Sequence, residues 1–188
     1  MCLLKQANGQ KGSGIHFPLI QISKHLNPCR QNPLIWISRG NMYLLDTNII
    51  SYWMRGDRNV IDRIRKHAPA DLFLSTITLA EILYGIEKSS VKKKERRLKI
   101  NQITSVLGIC AFDEAAAAEY AVIRTQLEKE GRMISERDTQ IASIAMANKL
   151  IVVTHNVKEF GRIGKLKVED WATDNDQTNL PIMPISQA

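Results

Sequence analysis

Short runs of apolar residues alternate along this chain with longer stretches in which apolar positions recur every three or four residues, and this alternation sets the expected fold. Continuous apolar runs at 43–45, 72–75, 107–112 and 150–154, with a weaker one at 166–168, read as strands buried on both faces. Between them, 49–55 and 59–67 read as helices, the second with Val60, Ile61 and Ile64 on one face. Residues 78–87 carry the clearest helical period, with Leu79, Ile82, Leu83 and Ile86 in register, and Thr78 with Glu81 has the spacing of a capping box at its start. Further helices are expected at 91–106, at the alanine-rich 114–130 ending on Gly131, and at 136–148, opened by Ser135 and lined inward by Ile141, Ala142, Ala145 and Met146. Strands alternating with helices predict an α/β sandwich around a central, mainly parallel sheet of four to five strands.

Residues 1–41 do not share this pattern. They hold three of the six prolines, a Gly-Ser-Gly at 12–14, and apolar runs too short to span a bilayer, with no small-residue cleavage site behind a hydrophobic region. They are expected to be a poorly ordered leader or an upstream-start extension, a functional basic arm being the alternative, ahead of a domain at 42–172. Residues 173–188, polar and proline-bearing, read as a loose tail.

The leader also changes what the charge means. A formal net charge of +7 and a pI near 9.4 invite a nucleic-acid partner. Residues 1–41, however, contribute Lys5, Lys11, Lys24, Arg30 and Arg39 and no acid, which leaves 21 basic against 19 acidic residues in the remainder. The run containing Lys92, Lys93, Lys94, Arg96, Arg97 and Lys99 reads as a solvated helix face, with a phosphate-tracking patch as the alternative. Two of the three cysteines, Cys2 and Cys29, lie in the leader and Cys110 stands by itself in an apolar stretch, so no disulfide framework is indicated and a reducing, cytoplasmic location is expected. At 188 residues and 44% hydrophobic content the chain can bury one sizeable core but hardly two.

The chemistry lies in three acids. In MYLLDTNIIS the first strand stops at Asp46 and passes through Thr47 and Asn48 into a helix, which places a carboxylate on the carboxyl edge of the sheet, where open α/β sheets bind ligands. Glu81 and Asp138 are expected in the first turns of helices whose N-termini point to the same edge, although each also has the spacing of a simple capping residue. Three carboxylates at one rim repel and raise one another's pKa until a cation offsets them. Oxygen ligands without histidine or cysteine point to Mg²⁺ or Mn²⁺, and so to phosphodiester hydrolysis.

Residues 42 to about 171 resemble a PIN-domain ribonuclease of the VapC toxin type, through MYLLDTNIIS, STITLAEILYGIE around Glu81, ISERDTQIASIAMANKL around Asp138, VVTHNVKEFGRI around Asn156, and the closing LKVEDW. The resemblance implies a PIN-like three-layer α/β/α sandwich. It implies a Mg²⁺-dependent endoribonuclease that cuts structured RNA, either tRNA, with initiator tRNA included, or ribosomal RNA. Such a toxin blocks translation, forms a homodimer and is silenced by a VapB-type antitoxin in a larger assembly. The family's first three acids fall on Asp46, Glu81 and Asp138 as catalytic and metal-binding residues, with Thr47, Asn48, Thr154 and Asn156 in support. The usual fourth acid falls at or beside Asn156, which argues for one tightly held ion, and Glu159 is a substitute acid or a solvated helix-start residue. Arg137, Arg162, Lys92 and Lys93 are candidates for RNA contact, and His155 reads as an exposed loop residue with a general-acid role as the alternative. Dimer and antitoxin surfaces are expected near Ile49, Trp53 and Tyr84. A PIN fold that binds RNA or a partner without cutting is the alternative function. A dehalogenase-type phosphatase would need a second Asp where Asn48 stands, a receiver domain lacks its companion Lys near Asp113, and no glycine-rich turn follows the first strand for a dinucleotide.

Overall fold

Three short strands with almost no polar residue set the architecture, because strands that are apolar on both faces need a layer of helices on each side. They are β1 (Tyr43–Leu45), β2 (Leu72–Ser75) and β4 (Ile151–Val153), and every residue in them is buried. In the computed structural model, which describes residues 40–173, they join β3 (Gly108–Cys110) and β5 (Val168–Glu169) in one sheet of order β3-β2-β1-β4-β5, all neighbours parallel. Tyr43 lies opposite Leu72 and Ile151, and Leu45 opposite Leu74 and Val153. The leader expected at 1–41 and the tail at 173–188 lie outside the described residues apart from 40, 41 and 173.

The period-2 alternation of the strands divides the core. Tyr43, Leu45, Leu72, Leu74, Ile151 and Val153 face α1 (Thr47–Arg55), α2 (Arg58–Arg65), α3 (Thr76–Lys88), α4 (Lys93–Val106) and Trp171. Leu44, Phe73, Cys110 and Val152 face α5 (Glu114–Lys129), α6 (Glu136–Ala147) and Phe160 of α7 (Val157–Phe160). The result is the expected three-layer sandwich. No helix among the described residues is long and apolar enough to cross a membrane.

The sheet order also fixes where a site can form. From β1 the chain steps to β2 and β3 on one side, then returns to lay β4 along the other edge of β1. β1 and β4 are therefore neighbours whose connections leave in opposite directions, and the crevice this opens at their carboxyl ends is where such sheets take ligands.

Several local expectations change. α3 begins at Thr76, directly off β2, because Ser75 has extended backbone angles and its hydroxyl accepts from the Thr78 N–H (2.8 Å). Thr78 is thus buried inside the helix, no Thr78–Glu81 capping box forms, and Glu81 sits in the second turn, beyond most of the helix-terminal field. Ile49 is fully buried in the core and cannot belong to a partner surface, whereas Trp53 is partly covered and Tyr84 is exposed. The α5 terminus matches expectation: Gly131 takes a φ of 63°, with Arg132 N–H donating to the Leu127 carbonyl (3.0 Å). Gly131→Ala is expected to destabilise the fold by about 1–2 kcal/mol, the cost of a left-handed Cβ, seen as a lower urea midpoint at unchanged slope.

Candidate active site

The rim of the β1–β4 crevice is built outward from Asp46. Its backbone N–H still pairs with Val153 of β4 (3.0 Å), and the same residue caps α1, its Oδ1 accepting from the Thr47 N–H (2.6 Å). The capping reading is therefore satisfied, but by one oxygen only. Oδ2 accepts from the Thr154 hydroxyl (2.7 Å) and from the Asn48 side-chain amide (2.8 Å). Thr154 directly follows β4, is wholly buried, and its oxygen in turn accepts from Asn48 Nδ2 (3.0 Å) and the Asn156 N–H (2.9 Å). Asn48 Oδ1 accepts from the His155 N–H (3.0 Å), which closes a network across the β1–β4 seam.

Glu81 and Asp138 meet this network from either side. The Thr47 hydroxyl donates to Glu81 Oε2 (2.5 Å) and the Arg137 guanidinium to Oε1 (3.1 Å), so both carboxylate oxygens are engaged. Asp138, in the first turn of α6, is half-buried; its N–H donates to the capping Ser135 hydroxyl (3.1 Å) and its Oδ2 receives Asn156 Nδ2 (3.4 Å). Burial pushes the Asp46 carboxyl up to about 6, helped by the Asp138 and Glu81 charges and opposed by the Thr154 and Thr47 donors. Burial likewise raises Asp138, the Ser135 hydroxyl opposing and the Glu81 and Glu159 charges adding to it.

Among the described residues no three His, Cys, Asp or Glu side chains converge into a ready cage for a metal ion. The donors nonetheless suit one kind of ion. Asp46 is a buried oxygen donor whose ionisation burial opposes, Asp138 is a second within electrostatic reach, and Glu81 is tied to Thr47 and Arg137. A hard cation that keeps several waters and takes one or two carboxylates directly fits that set; a closed tetrahedral centre does not.

Not every candidate gathers here. Arg137 comes in through its pair with Glu81, while Arg162 is pinned to Glu159 (3.1 Å) and to the Met133 carbonyl (2.8 Å). Lys93 pairs with Glu87 in the last turn of α3 (2.5 Å), and Lys92 approaches Glu95 (4.0 Å). Glu87 stands six residues past Glu81, about 9 Å along the helix. His155 is half-exposed, yet its ring is oriented, with Nδ1 3.0 Å from Asp170 Oδ2 and the Tyr52 ring at its edge. Asp170 is the member that sequence reading left out, although LKVEDW had marked its segment. Thr154→Val is expected to leave the Asn156 N–H without its acceptor and Asp46 Oδ2 without one of its donors, and to destabilise by about 1–3 kcal/mol; Thr154→Ser, measured beside it by chemical denaturation, should recover most of the loss.

Comparison with known proteins gives this geometry a setting. The PIN domain family model matches residues 43–166. Ribonuclease VapC2 of Haemophilus influenzae is 35% identical over 130 residues, covering 69% of this chain and 97% of that protein. The tRNA(fMet)-specific endonuclease VapC of Shigella flexneri is 32% identical over 130 residues, with 69% and 98% covered. Among solved structures, VapBC2 from Rickettsia felis bound to a promoter DNA fragment contains a chain 34% identical with a TM-score of 0.64, covering 69% of this chain and 98% of that one.

Proposed function

This chain belongs to the PIN-domain family, in its VapC branch, and from that premise we propose that it is a Mg²⁺-dependent endoribonuclease toxin, with Mn²⁺ able to substitute. The observation that carries the reading is Asp46: a carboxylate fixed by three donors in the β1–β4 crevice, pushed to about 6 by burial, and faced by two further acids. A group so placed is poorly solvated as an anion and is stabilised by a cation. Asp46 and Asp138 would hold the ion directly, and Glu81 through water or after releasing Thr47 or Arg137. When bound, Mg²⁺ supplies the positive charge that offsets the carboxylates and polarises a phosphodiester oxygen.

The chain's own residues do the rest. Thr154 and Asn48 hold Asp46 in one rotamer, so its lone pairs keep a fixed direction. Thr47 ties Glu81 to the end of β1, and Asn156 reaches Asp138 from the turn after β4, bridging the two sides of the crevice. Because Asn156 brings an amide and no charge, the site is proposed to hold one ion tightly. Arg137, exposed beyond its contact with Glu81, has further N–H groups to offer a phosphate. Arg162 and the Lys92–Lys93 pair are proposed as outlying RNA contacts.

The relatives narrow substrate and partner. The Shigella protein carries tRNA(fMet) specificity in its name, and the Rickettsia complex joins a VapC chain to VapB. We extend both to this chain: a structured RNA, with initiator tRNA the leading candidate, and a VapB-type antitoxin that silences a homodimer of the folded unit at 42–172. Incubating the protein with total tRNA and mapping RNA ends tests this. Discrete cleavage that stops with chelator and returns with Mg²⁺ is expected; cleavage indifferent to chelator, or none with any divalent ion, would remove the nuclease reading.

A further inference from the structure

The outward strip of α1 leads away from the acids. Asn48, Ser51, Tyr52 and Arg55 share one face by helical spacing, and the strip begins at Asn48, which touches Asp46 and Thr154. Tyr52 is half-buried, with the His155 ring at its edge (centroids 5.9 Å apart, planes at 72°), and the Arg55 guanidinium lies over its ring, 4.9 Å from the centre. From Asn48 to Arg55 the helix climbs about 10 Å.

Arg55 then forms part of the wall of two adjoining cavities, of about 380 and 630 Å³. The larger reaches back to Ile82, the neighbour of Glu81, and outward to Lys92, Glu95, Arg96 and Lys99 of α4. Its walls thus carry four cations and one acid. Glu95 is matched by Lys99 (3.0 Å), which also donates to the Met54 carbonyl (3.2 Å), whereas Arg55 and Arg96 make no ion pair among the described residues. One unmatched guanidinium over a half-buried aromatic ring, on a helix face that begins beside the carboxylates, with a second in the wall of the adjoining cleft, has the makeup of a single-strand track: cations follow the backbone and a ring or guanidinium plane takes a base. An acidic peptide would satisfy the charge, but it gives no reason for the platform to start at the acids themselves.

We propose that this strip and cleft carry the unpaired RNA strand on one side of the bond that is cut, Tyr52 with Arg55 forming the platform for a base and Arg96 with Lys99 meeting phosphates. The assignment rests on the nuclease reading of the acids, and the test separates the two. Binding of a fluorescent single-stranded oligoribonucleotide is measured in an Asp46→Asn background, so that no turnover intrudes, while cleavage by the unaltered chain is followed separately. Tyr52→Ala is expected to weaken binding by about tenfold, as loss of one base stack does, with Tyr52→Phe restoring it. Arg96→Ala is expected to weaken binding and to lower the slope of log affinity against log salt by about 0.7. Lys129→Ala, at the far end of α5, is the matched control and should leave both quantities unchanged. Unchanged affinity in the Tyr52 and Arg96 variants, an equal effect from Lys129→Ala, or variants that lose an acidic protein partner while keeping RNA would each overturn the track. Absence of cleavage by the unaltered chain would overturn the nuclease reading instead, whatever the binding shows.

Discussion

Asp46→Asn is expected to lower RNA cleavage by about two to three orders of magnitude, the scale on which removing one pre-organised charged group acts, and yet to relieve the fold of a burden at neutral pH. The sign follows from the raised carboxyl. In the folded chain Asp46 gives up its proton near 6, against 3.8 as the ordinary value, so the folded form binds the proton more tightly than the unfolded one. Below 3.8 both are protonated and the group is neutral toward stability. As pH rises from there to 6 the unfolded chain ionises first, and stability falls by up to about 3 kcal/mol; above 6 the deficit is constant. Asparagine cannot ionise and shows no such fall. Its amide brings a cost of its own, because an NH₂ in place of Oδ2 faces two donors, Thr154 and Asn48, but that cost does not vary with pH. Chemical denaturation without divalent ions should therefore show the difference between variant and parent moving in the variant's favour between pH 4 and pH 7. A difference constant with pH would mean that Asp46 ionises freely, and the argument for a cation at this carboxylate would fail with it.

The second large effect concerns the ion. A cation at Asp46 competes with a proton, so apparent Mg²⁺ affinity should be flat above pH 6 and fall about tenfold for each unit below it, per proton displaced. Cleavage at subsaturating Mg²⁺ should drop in parallel and recover when Mg²⁺ is raised. Thermal unfolding gives a readout that needs no RNA. At pH 7.5 and a hundred times the dissociation constant, Mg²⁺ should add about 2.7 kcal/mol, or several degrees in Tm, and the gain should shrink at pH 5 and vanish in Asp46→Asn. Equal stabilisation at both pH values would place the ion elsewhere.

Most of the framework could be read from the sequence because buried parallel strands leave continuous apolar runs, and runs such as LIVVT have few other uses. The strand carrying Asp46 and the helix start at Asp138 belong to that class. Glu81 does not. Thr78 offers a capping spacing that puts the start of its helix two residues late, but Ser75, the last residue of β2, caps it without any loop, and no periodicity marks a helix that starts the moment a strand ends. The order of the sheet was equally hidden. That β4 lies against β1 rather than beside β3 is a long-range choice, and only with it do Thr154 and Asn48 come within reach of Asp46. The pairing of Arg137 with Glu81, 56 positions apart, depends on that same docking of α6 against the rim. Single residues tell less: His155 is the exposed loop residue that its place in the chain suggests, but nothing near it in sequence shows that Asp170, fifteen positions on and beyond β5, orients its ring.

The seam between β1 and β4 bears on how a cell could make such a protein. A nascent chain that has just passed Asp138 already contains all three acids, but Thr154, 108 positions after Asp46, is still unsynthesised. Ribosomes add about 5–20 residues per second from the N-terminus, so the crevice cannot assemble until roughly one to three seconds after the last of the three acids is made. Until β4 has been made and laid against β1, Asp46 lacks the Thr154 hydroxyl that holds its outer oxygen, and three acids in one chain do not yet amount to a site.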